Sequence, residues 1–298
     1  MLDLRDLYDL ASAHRDQLES EVASFEIDGY PFDFARRREV MGVVNLSRDS
    51  WYRESVAPST ASAIQRGLIL GAQGARMIDV GAESTLPDAS RVGTEDQLAQ
   101  LVPVVEALSA AGLLVSVETY DPDVALGCLE AGARILNLTG TADDSEIFPM
   151  AARFGAGVVI CFVAGENVRE VSDAEIQGDP IPALEDHFRG RIDSAREAGL
   201  ERLFIDPGLG FYYDNLEDGE VRVQRQVEVF LNTFRLRSLG YPICHALPHA
   251  FDFFLEEVRS AEGMFAVLAA IGGCSLFRTH EVPRVRAVLD VLDAVGPS

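Results

Sequence analysis

The chain of 298 residues contains no lysine, so all 25 of its strongly basic residues are arginine, against 48 aspartates and glutamates. The formal net charge is therefore −23. An acidic surface of this size repels phosphate backbones and anionic lipids. Neither nucleic acid nor a membrane surface is therefore an expected partner.

Long apolar runs and paired cysteines are also missing. No stretch of about 18 apolar residues occurs, so no membrane span is expected. The first twenty residues lack the basic and apolar regions of a secretory signal. None of the cysteines forms a C-x-x-C pair, and reduced, buried thiols of a cytoplasmic protein are the expected state. The cysteines are Cys128, Cys161, Cys244 and Cys274.

Several common catalytic motifs do not occur either. No G-x-G-x-x-G follows the first apolar run, and the chain has no G-x-S-x-G elbow and no P-loop. His245 and His249 stand four residues apart, but Pro248 lies between them, so a helical metal pair is not expected. Three conventional zinc ligands do not occur at a useful spacing.

From residue 40 onward, short apolar runs alternate with amphipathic helical patterns. Strands that alternate with helices predict a parallel sheet, and eight such units close a barrel of about 250 residues. We therefore predict a single (β/α)8 TIM barrel over residues 40–298, with a doubly wound open sheet as the alternative fold. The eight apolar runs are 40–45, 75–80, 113–118, 133–138, 157–162, 202–206, 241–246 and 274–278.

Residues 1–39 precede this repeat and predict an N-terminal helix and hairpin extension that packs on the barrel. Leucines recur at helical spacing over residues 2–22. The segment FEIDGYPF (25–32) predicts a hairpin that turns at Asp28-Gly29. We expect this extension to close the bottom of the barrel.

Polar side chains stand at the ends of most apolar runs. In TIM barrels the active site lies at the carboxyl ends of the strands, so these side chains are expected to converge in one pocket. Carboxylate and amide oxygens suit a ligand rich in N–H donors, whereas cations on the opposite side suit an anion such as phosphate. The acceptors are Glu118, Asn137 and Asp206, the cations are Arg278 and His280, and Asn45 ends the first strand.

Five motifs in this order resemble those of the dihydropteroate synthase family, a family of pterin-binding TIM barrels. The resemblance covers the chain from about residue 40 to 294. Five ordered motifs are a specific signal, although each alone is modest. They are MGVVNLSRDSW (41–51), GARMIDVGAESTLPDA (74–89), SVETYDPDVALGCLEAGARILN (116–137), FIDPGLGF (204–211) and FRTHEV (277–282).

The resemblance implies a transferase that joins a pterin-methyl diphosphate to para-aminobenzoate and releases diphosphate. It implies that Asp206 and Asn137, with Glu118, bind the pterin ring. Arg278 and His280 would then bind the departing diphosphate. Fixed cations at that position stabilise negative charge where it develops.

The resemblance also implies a cofactor, a second binding region and an assembly. Asn45 would lie near the diphosphate and its Mg²⁺ ion. Thr85, Ser84 and His249 would lie on the side of the second substrate. The last two barrel helices would pair two subunits in a homodimer.

Five positions depart from the family pattern. Glu118 replaces an aspartate and Leu86 replaces an arginine. Where the family has Ser-Arg-Lys, this chain has Pro248, His249 and Ala250. A charge-assisted hydrogen bond contributes roughly 1.5–3 kcal/mol, so each loss costs about ten- to a hundredfold in rate or affinity. The chain is therefore expected to bind a pterin diphosphate but to condense it poorly with para-aminobenzoate, or to use another acceptor.

Three functions remain open at this point. Arg278 and His280 favour the dihydropteroate synthase-like transferase. A folate- or methanopterin-linked methyltransferase would share Asn137 and Asp206 but would not need a diphosphate site. The uncharged Leu86 and Ala250 are compatible with a non-catalytic pterin-binding protein.

Overall fold

The computed structural model describes residues 2–47, 56–84, 89–168, 178–210 and 218–295. In these parts of the chain, ten strands alternate with eleven α-helices. The strands are β1 (Phe25–Ile27), β2 (Tyr30–Phe32), β3 (Glu39–Asn45), β4 (Met77–Gly81), β5 (Leu114–Thr119), β6 (Ile135–Leu138), β7 (Gly157–Cys161), β8 (Leu203–Asp206), β9 (Cys244–Ala246) and β10 (Leu276–Thr279).

The helices follow the strands in the order that the sequence pattern predicts. Two short 3₁₀ segments, Thr233–Leu239 and Leu255–Glu257, supplement them. The α-helices are α1 (Leu4–Ala13), α2 (Arg15–Leu18), α3 (Thr60–Ala72), α4 (Thr94–Ala110), α5 (Pro122–Glu130), α6 (Asp144–Arg153), α7 (Ile181–Glu197), α8 (Gly219–Asn232), α9 (Phe251–Phe254), α10 (Val258–Ile271) and α11 (Val282–Val295). None of the described helices is long and apolar enough to cross a membrane.

Strands β3 to β10 form one parallel sheet in the order β8-β7-β6-β5-β4-β3-β10-β9. Its two ends meet, because Ile205 and Ile243 form a parallel bridge and the Ile205 N–H donates to the Pro242 carbonyl at 3.0 Å. The predicted (β/α)8 barrel is therefore confirmed, and the alternative of an open sheet is wrong. All eight predicted runs contribute a strand.

Local signals in the sequence set where the helices begin and end. Ser59 caps α3 in a capping box with Ser62, and Asp121 caps α5 directly before Pro122. At the opposite end of a helix, Gly132 follows α5 with φ of 114°, a conformation that favours glycine. These turns return the chain to the bottom of the barrel for the next strand.

The N-terminal hairpin packs against the amino ends of the barrel strands. Asp28 and Gly29 both have positive φ, 51° and 78°, as a two-residue hairpin turn requires. Phe32 is 1% exposed, and its ring meets that of Phe204 edge-on at 6.0 Å. Ile27 joins the same buried cluster as Met41 at the strand starts. The hairpin thus covers the bottom of the barrel and leaves the carboxyl ends of the strands open for a site.

Candidate functional site

A small cavity of about 10 Å³, room for roughly one water molecule, lies at the carboxyl ends of the barrel strands. Four residues that the sequence singles out line it together, and they come from four different strands. Such convergence requires the closed barrel, because the strands that supply them are far apart in sequence. The lining residues are Glu118, Asn137, Thr139, Cys161, Asp206, Gly208, Gly210, Ala246 and Arg278.

The guanidinium of Arg278 lies between two carboxylates at this cavity. Its Nε donates to Asp79 Oδ2 at 2.7 Å, and its terminal nitrogen donates to Glu118. The sequence interpretation placed Arg278 on the side of the pocket opposite the acceptors. The structure places it against them, because the alternation of side chains along β10 turns Arg278 into the barrel towards β4 and β5.

Asp79 connects three of the side chains around the cavity and is 1% exposed. Besides the bond from Arg278, it accepts hydrogen bonds from Ser116 Oγ at 2.6 Å and Asn137 Nδ2 at 3.0 Å. A buried carboxylate is costly unless such donors compensate it. Asp79 therefore fixes the orientation of both Arg278 and Asn137.

Asn137 is held from both ends of its amide group. Its Nδ2 donates to Asp79, and its Oδ1 accepts from Cys161 Sγ at 3.4 Å. This pattern agrees with the amide orientation in which the oxygen faces the thiol. Asn137 is 3% exposed, so it offers the cavity a fixed polar edge rather than a mobile one.

The two acidic residues that line the cavity take up protons more readily than ordinary carboxyls. Burial raises the pKa of Glu118 to about 7, although the guanidinium of Arg278 acts in the opposite direction. Burial also raises the pKa of Asp206 to about 6, against the hydrogen bond that the Gly208 N–H donates to Oδ1 at 2.8 Å. A carboxyl that gains a proton near neutral pH donates one hydrogen bond and accepts others, which suits a heterocycle with both donors and acceptors.

Among the described residues, Asn45 and Ser84 do not line this cavity. Asn45 ends β3 next to Gly81, and Ser84 is buried in the segment after β4. Thr85 and Leu86 lie outside the described residues. Ala250, which stands where the family has lysine, is buried and has φ of 46° directly before α9.

His249 and His280 form a separate cluster around the fully buried Glu262 of α10. Oε1 of Glu262 lies 3.0 Å from His280 Nδ1 and 3.2 Å from His249 Nε2. The rings of the two histidines are 5.1 Å apart. Burial alone would raise the pKa of Glu262, but hydrogen bonds from His249 and His280 outweigh it and hold that pKa well below its usual range. Burial lowers the pKa of His280.

His245 belongs to the core and not to the site. Its Nε2 lies 2.8 Å from Thr233 Oγ1, and its ring packs against Phe230 at 4.7 Å. Burial lowers its pKa to about 3, so the ring is neutral. Its side chain points outward from β9 into the layer between sheet and helix.

Two acidic residues of these networks escaped the sequence interpretation, namely Asp79 and Glu262. Asp79 stands inside the apolar run 75–80, and Glu262 in the apolar helix α10. The sequence does carry a signal for each of them. A carboxylate within an apolar stretch predicts a buried side chain that must have a partner. The sequence alone does not reveal which partner it has.

Comparisons with known proteins agree with this architecture. The family described as "Pterin binding enzyme" matches residues 41–280. A probable bifunctional folylpolyglutamate synthase/dihydropteroate synthase of Halobacterium salinarum is 32% identical over 89% of this chain, which spans 32% of that longer protein. Dihydropteroate synthase of Mycobacterium leprae is 32% identical over 87% of this chain and 92% of its own length.

A solved structure supports the same assignment. The dihydropteroate synthase of Xanthomonas albilineans, with 4-aminobenzoic acid, is 29% identical and superimposes with a TM-score of 0.77. The match covers 92% of this chain and 99% of that one. The family match over most of the chain and the 32% identity to a full-length relative together show that this chain belongs to the pterin binding enzymes and, within them, to the dihydropteroate synthase family.

Proposed function

We propose that this protein joins a pterin-methyl diphosphate to an aminobenzoate-type acceptor and releases diphosphate. The observation that carries the proposal is the cavity in which Asp206, Asn137 and Glu118 face the guanidinium of Arg278. Hydrogen-bond acceptors and one fixed cation within a single cavity suit a ligand that carries both N–H donors and negative charge.

The hydrogen-bond acceptors of the cavity fit an aminopyrimidinone ring. The Asp206 carboxylate is able to accept two N–H bonds from such a ring, and the Asn137 amide is already oriented by Asp79 and Cys161. Glu118, with a pKa of about 7, is able to donate or accept according to the ring atom that it meets. The Asn137 amide thus needs no reorientation, whereas the cavity has to widen to admit the ring.

Arg278 is the one cationic side chain that lines the cavity among the described residues. Negative charge grows on diphosphate as its bond to the pterin methylene breaks, and a fixed guanidinium stabilises that charge in the transition state. Asp79 keeps the guanidinium in place. We assign the second contact with diphosphate to His280, two residues further along the chain.

The Mg²⁺ of the resembled family would be held by Asn45. An amide oxygen is a hard ligand of the kind that Mg²⁺ accepts, and Mg²⁺ usually takes only one or two protein ligands together with substrate phosphates and water. The position of Asn45 at the end of β3 fits this limited role. When bound, the ion supplies further charge neutralisation for the leaving diphosphate.

The region that binds the second substrate, the aminobenzoate-type acceptor, is where this chain differs from its family. Ser84, Thr85 and His249 are the residues that we assign to it, and no cation replaces the family's arginine and lysine at Leu86 and Ala250. Positioning of the acceptor carboxylate therefore depends on fewer charged contacts. We infer slow condensation with para-aminobenzoate and expect a larger or less acidic acceptor to react faster.

A diphosphate-release assay tests the proposed function. Purified full-length protein is incubated with pterin-methyl diphosphate and Mg²⁺, with and without para-aminobenzoate or its esters and amides. Acceptor-dependent release is expected in the wild type and in Asp193→Asn, a variant of an exposed residue on α7. Loss of release is expected in Asp206→Ala. Absence of release with every acceptor, or unchanged release in Asp206→Ala, contradicts the proposal.

We further propose that the protein acts in the cytoplasm as a homodimer. All four cysteines are buried free thiols, which is typical of a reducing compartment. Helices α10 and α11 expose apolar side chains, among them Ile271 (51% exposed) and Val291 (62% exposed). Sedimentation analysis is expected to give twice the chain mass, and a monomer would contradict the assembly.

A further inference from the structure

We propose that His249, Glu262 and His280 form a binding site for one divalent transition-metal ion, for which Zn²⁺ is the test probe. This site is distinct from the Mg²⁺ position at Asn45, and it does not depend on the proposed function. It joins three separate elements: the segment after β9, helix α10 and the residue after β10.

Two of the three separations within this cluster are those of ligands around one ion. Zinc ligands lie about 2.0–2.2 Å from the metal, so two ligands at an angle of 90–110° lie roughly 2.8–3.5 Å apart. Glu262 Oε1 lies 3.0 Å from His280 Nδ1 and 3.2 Å from His249 Nε2. All three ligand atoms lie within 4.8 Å of one another. An ion is able to replace the hydrogen-bonding protons once the two imidazoles draw together around it.

The chemistry of the three groups selects a transition metal rather than Mg²⁺. Imidazole nitrogens favour Zn²⁺ and its neighbours, whereas Mg²⁺ takes oxygen ligands. Two histidines and one carboxylate recur in protein sites for zinc and non-haem iron, where further positions of the ion remain open for water or substrate.

The ligands are also oriented by their surroundings. Glu262 accepts hydrogen bonds from the Thr279 hydroxyl and from the backbone N–H of Glu281, which fix its carboxylate. The His249 ring stacks on Phe251 at 5.4 Å. Such contacts around the ligands preorganise a metal site. The His280 side chain is 16% exposed, so an ion is able to reach the cluster from solvent.

A metal ion at this position would supply positive charge near Ala250, where the family has a lysine. The chain has no lysine, and Ala250 follows His249 directly. His280 is two residues from Arg278, so the ion would lie at the same end of the barrel as the cavity. The open positions of the ion would bind an anionic oxygen, such as one of a phosphate group or a carboxylate.

The test is calorimetric titration of untagged, chelator-treated protein with Zn²⁺ in 1 M NaCl. High salt reduces the Debye length to about 3 Å and suppresses weak binding to the acidic surface. The wild type is expected to bind one Zn²⁺ per chain, and Mg²⁺ at the same concentrations is expected not to compete for this site. His249→Gln is expected to weaken binding by at least about tenfold, as losses around metal sites usually do. His14→Gln removes a histidine elsewhere and is expected to bind as the wild type does.

The Zn²⁺ titration of Glu262→Gln and the visible spectrum of bound Co²⁺ complete the test. The Co²⁺ absorption bands are expected in the wild type and His14→Gln, and at the same Co²⁺ concentration they are expected to be much weaker in His249→Gln. If Glu262→Gln fails to fold because Glu262 also accepts backbone N–H groups, the His249 variant still decides the question. Failure of the wild type to bind Zn²⁺ overturns the proposal, and so does equal binding by the wild type and His249→Gln.

Discussion

Asp79 and Arg278 are 199 residues apart in sequence, yet their side chains meet at 2.7 Å across β3, the strand that lies between β4 and β10. Asp79 is fully enclosed, and it orients both the cation and the amide of the cavity. The ion pair is therefore part of the binding surface and also part of the core.

The first prediction concerns this ion pair. Asp79→Ala leaves Arg278 and Asn137 without their common acceptor, and breaking a buried pair costs about 3–5 kcal/mol. Urea denaturation is expected to show a loss of that order, with a smaller loss for Asp79→Asn, which keeps the shape and one acceptor. The exposed Asp193→Asn is the control. A loss below about 1 kcal/mol, the average for any substitution, would show that Asp79 does not organise the cavity.

The second prediction concerns the pH dependence of stability. The pKa of Glu118 is raised to about 7 in the folded protein, from an ordinary value of 4.5. The folded state thus binds the proton more tightly, and stability is lost as pH rises from about 5 to 8. Glu118→Gln has no such proton to lose. Its free energy of unfolding, measured with urea, is expected to fall less steeply over this range than that of the wild type, and parallel pH profiles would refute the assignment.

The third prediction concerns the hairpin beneath the barrel. Phe32 is 1% exposed and contacts the ring of Phe204. Phe32→Ala is expected to cost about 3–5 kcal/mol, because it opens a cavity at the bottom of the barrel. Tyr8→Ala, at a residue that is 72% exposed, is the control and is expected to change stability by less than about 0.5 kcal/mol. Equal effects in chemical denaturation would mean that the hairpin does not complete the core.

Sequence patterns suffice to predict the strands, the hairpin turn and the polar strand ends, because these depend on local periodicity and on the rules of parallel sheets. They do not predict that Arg278 pairs with Asp79 and Glu118. That contact depends on strand register and on the inward direction of each side chain. Likewise, Glu262 joins His249 and His280 only after α10 packs against the barrel, so spacing in the sequence gives no sign of a metal cluster.

The fourth prediction concerns the region that binds the second substrate. If the missing lysine limits condensation, Ala250→Lys is expected to raise kcat/KM for para-aminobenzoate by about tenfold, the value of one charge-assisted hydrogen bond. Ala250→Met adds similar length without charge and is the matched control. Steady-state diphosphate release measures both variants. An equal effect of lysine and methionine would show that charge at this position is irrelevant.

The central claim is that the cavity of Asp206, Asn137, Glu118 and Arg278 binds the pterin diphosphate. Calorimetric titration of this ligand into the wild type, Asp206→Ala and Asp193→Asn tests it most directly. Binding to the wild type and to Asp193→Asn is expected to be equal, and Asp206→Ala is expected to lose roughly 2–4 kcal/mol, because charged hydrogen bonds disappear and ligand donors remain unpaired. Unchanged affinity in Asp206→Ala would contradict the claim.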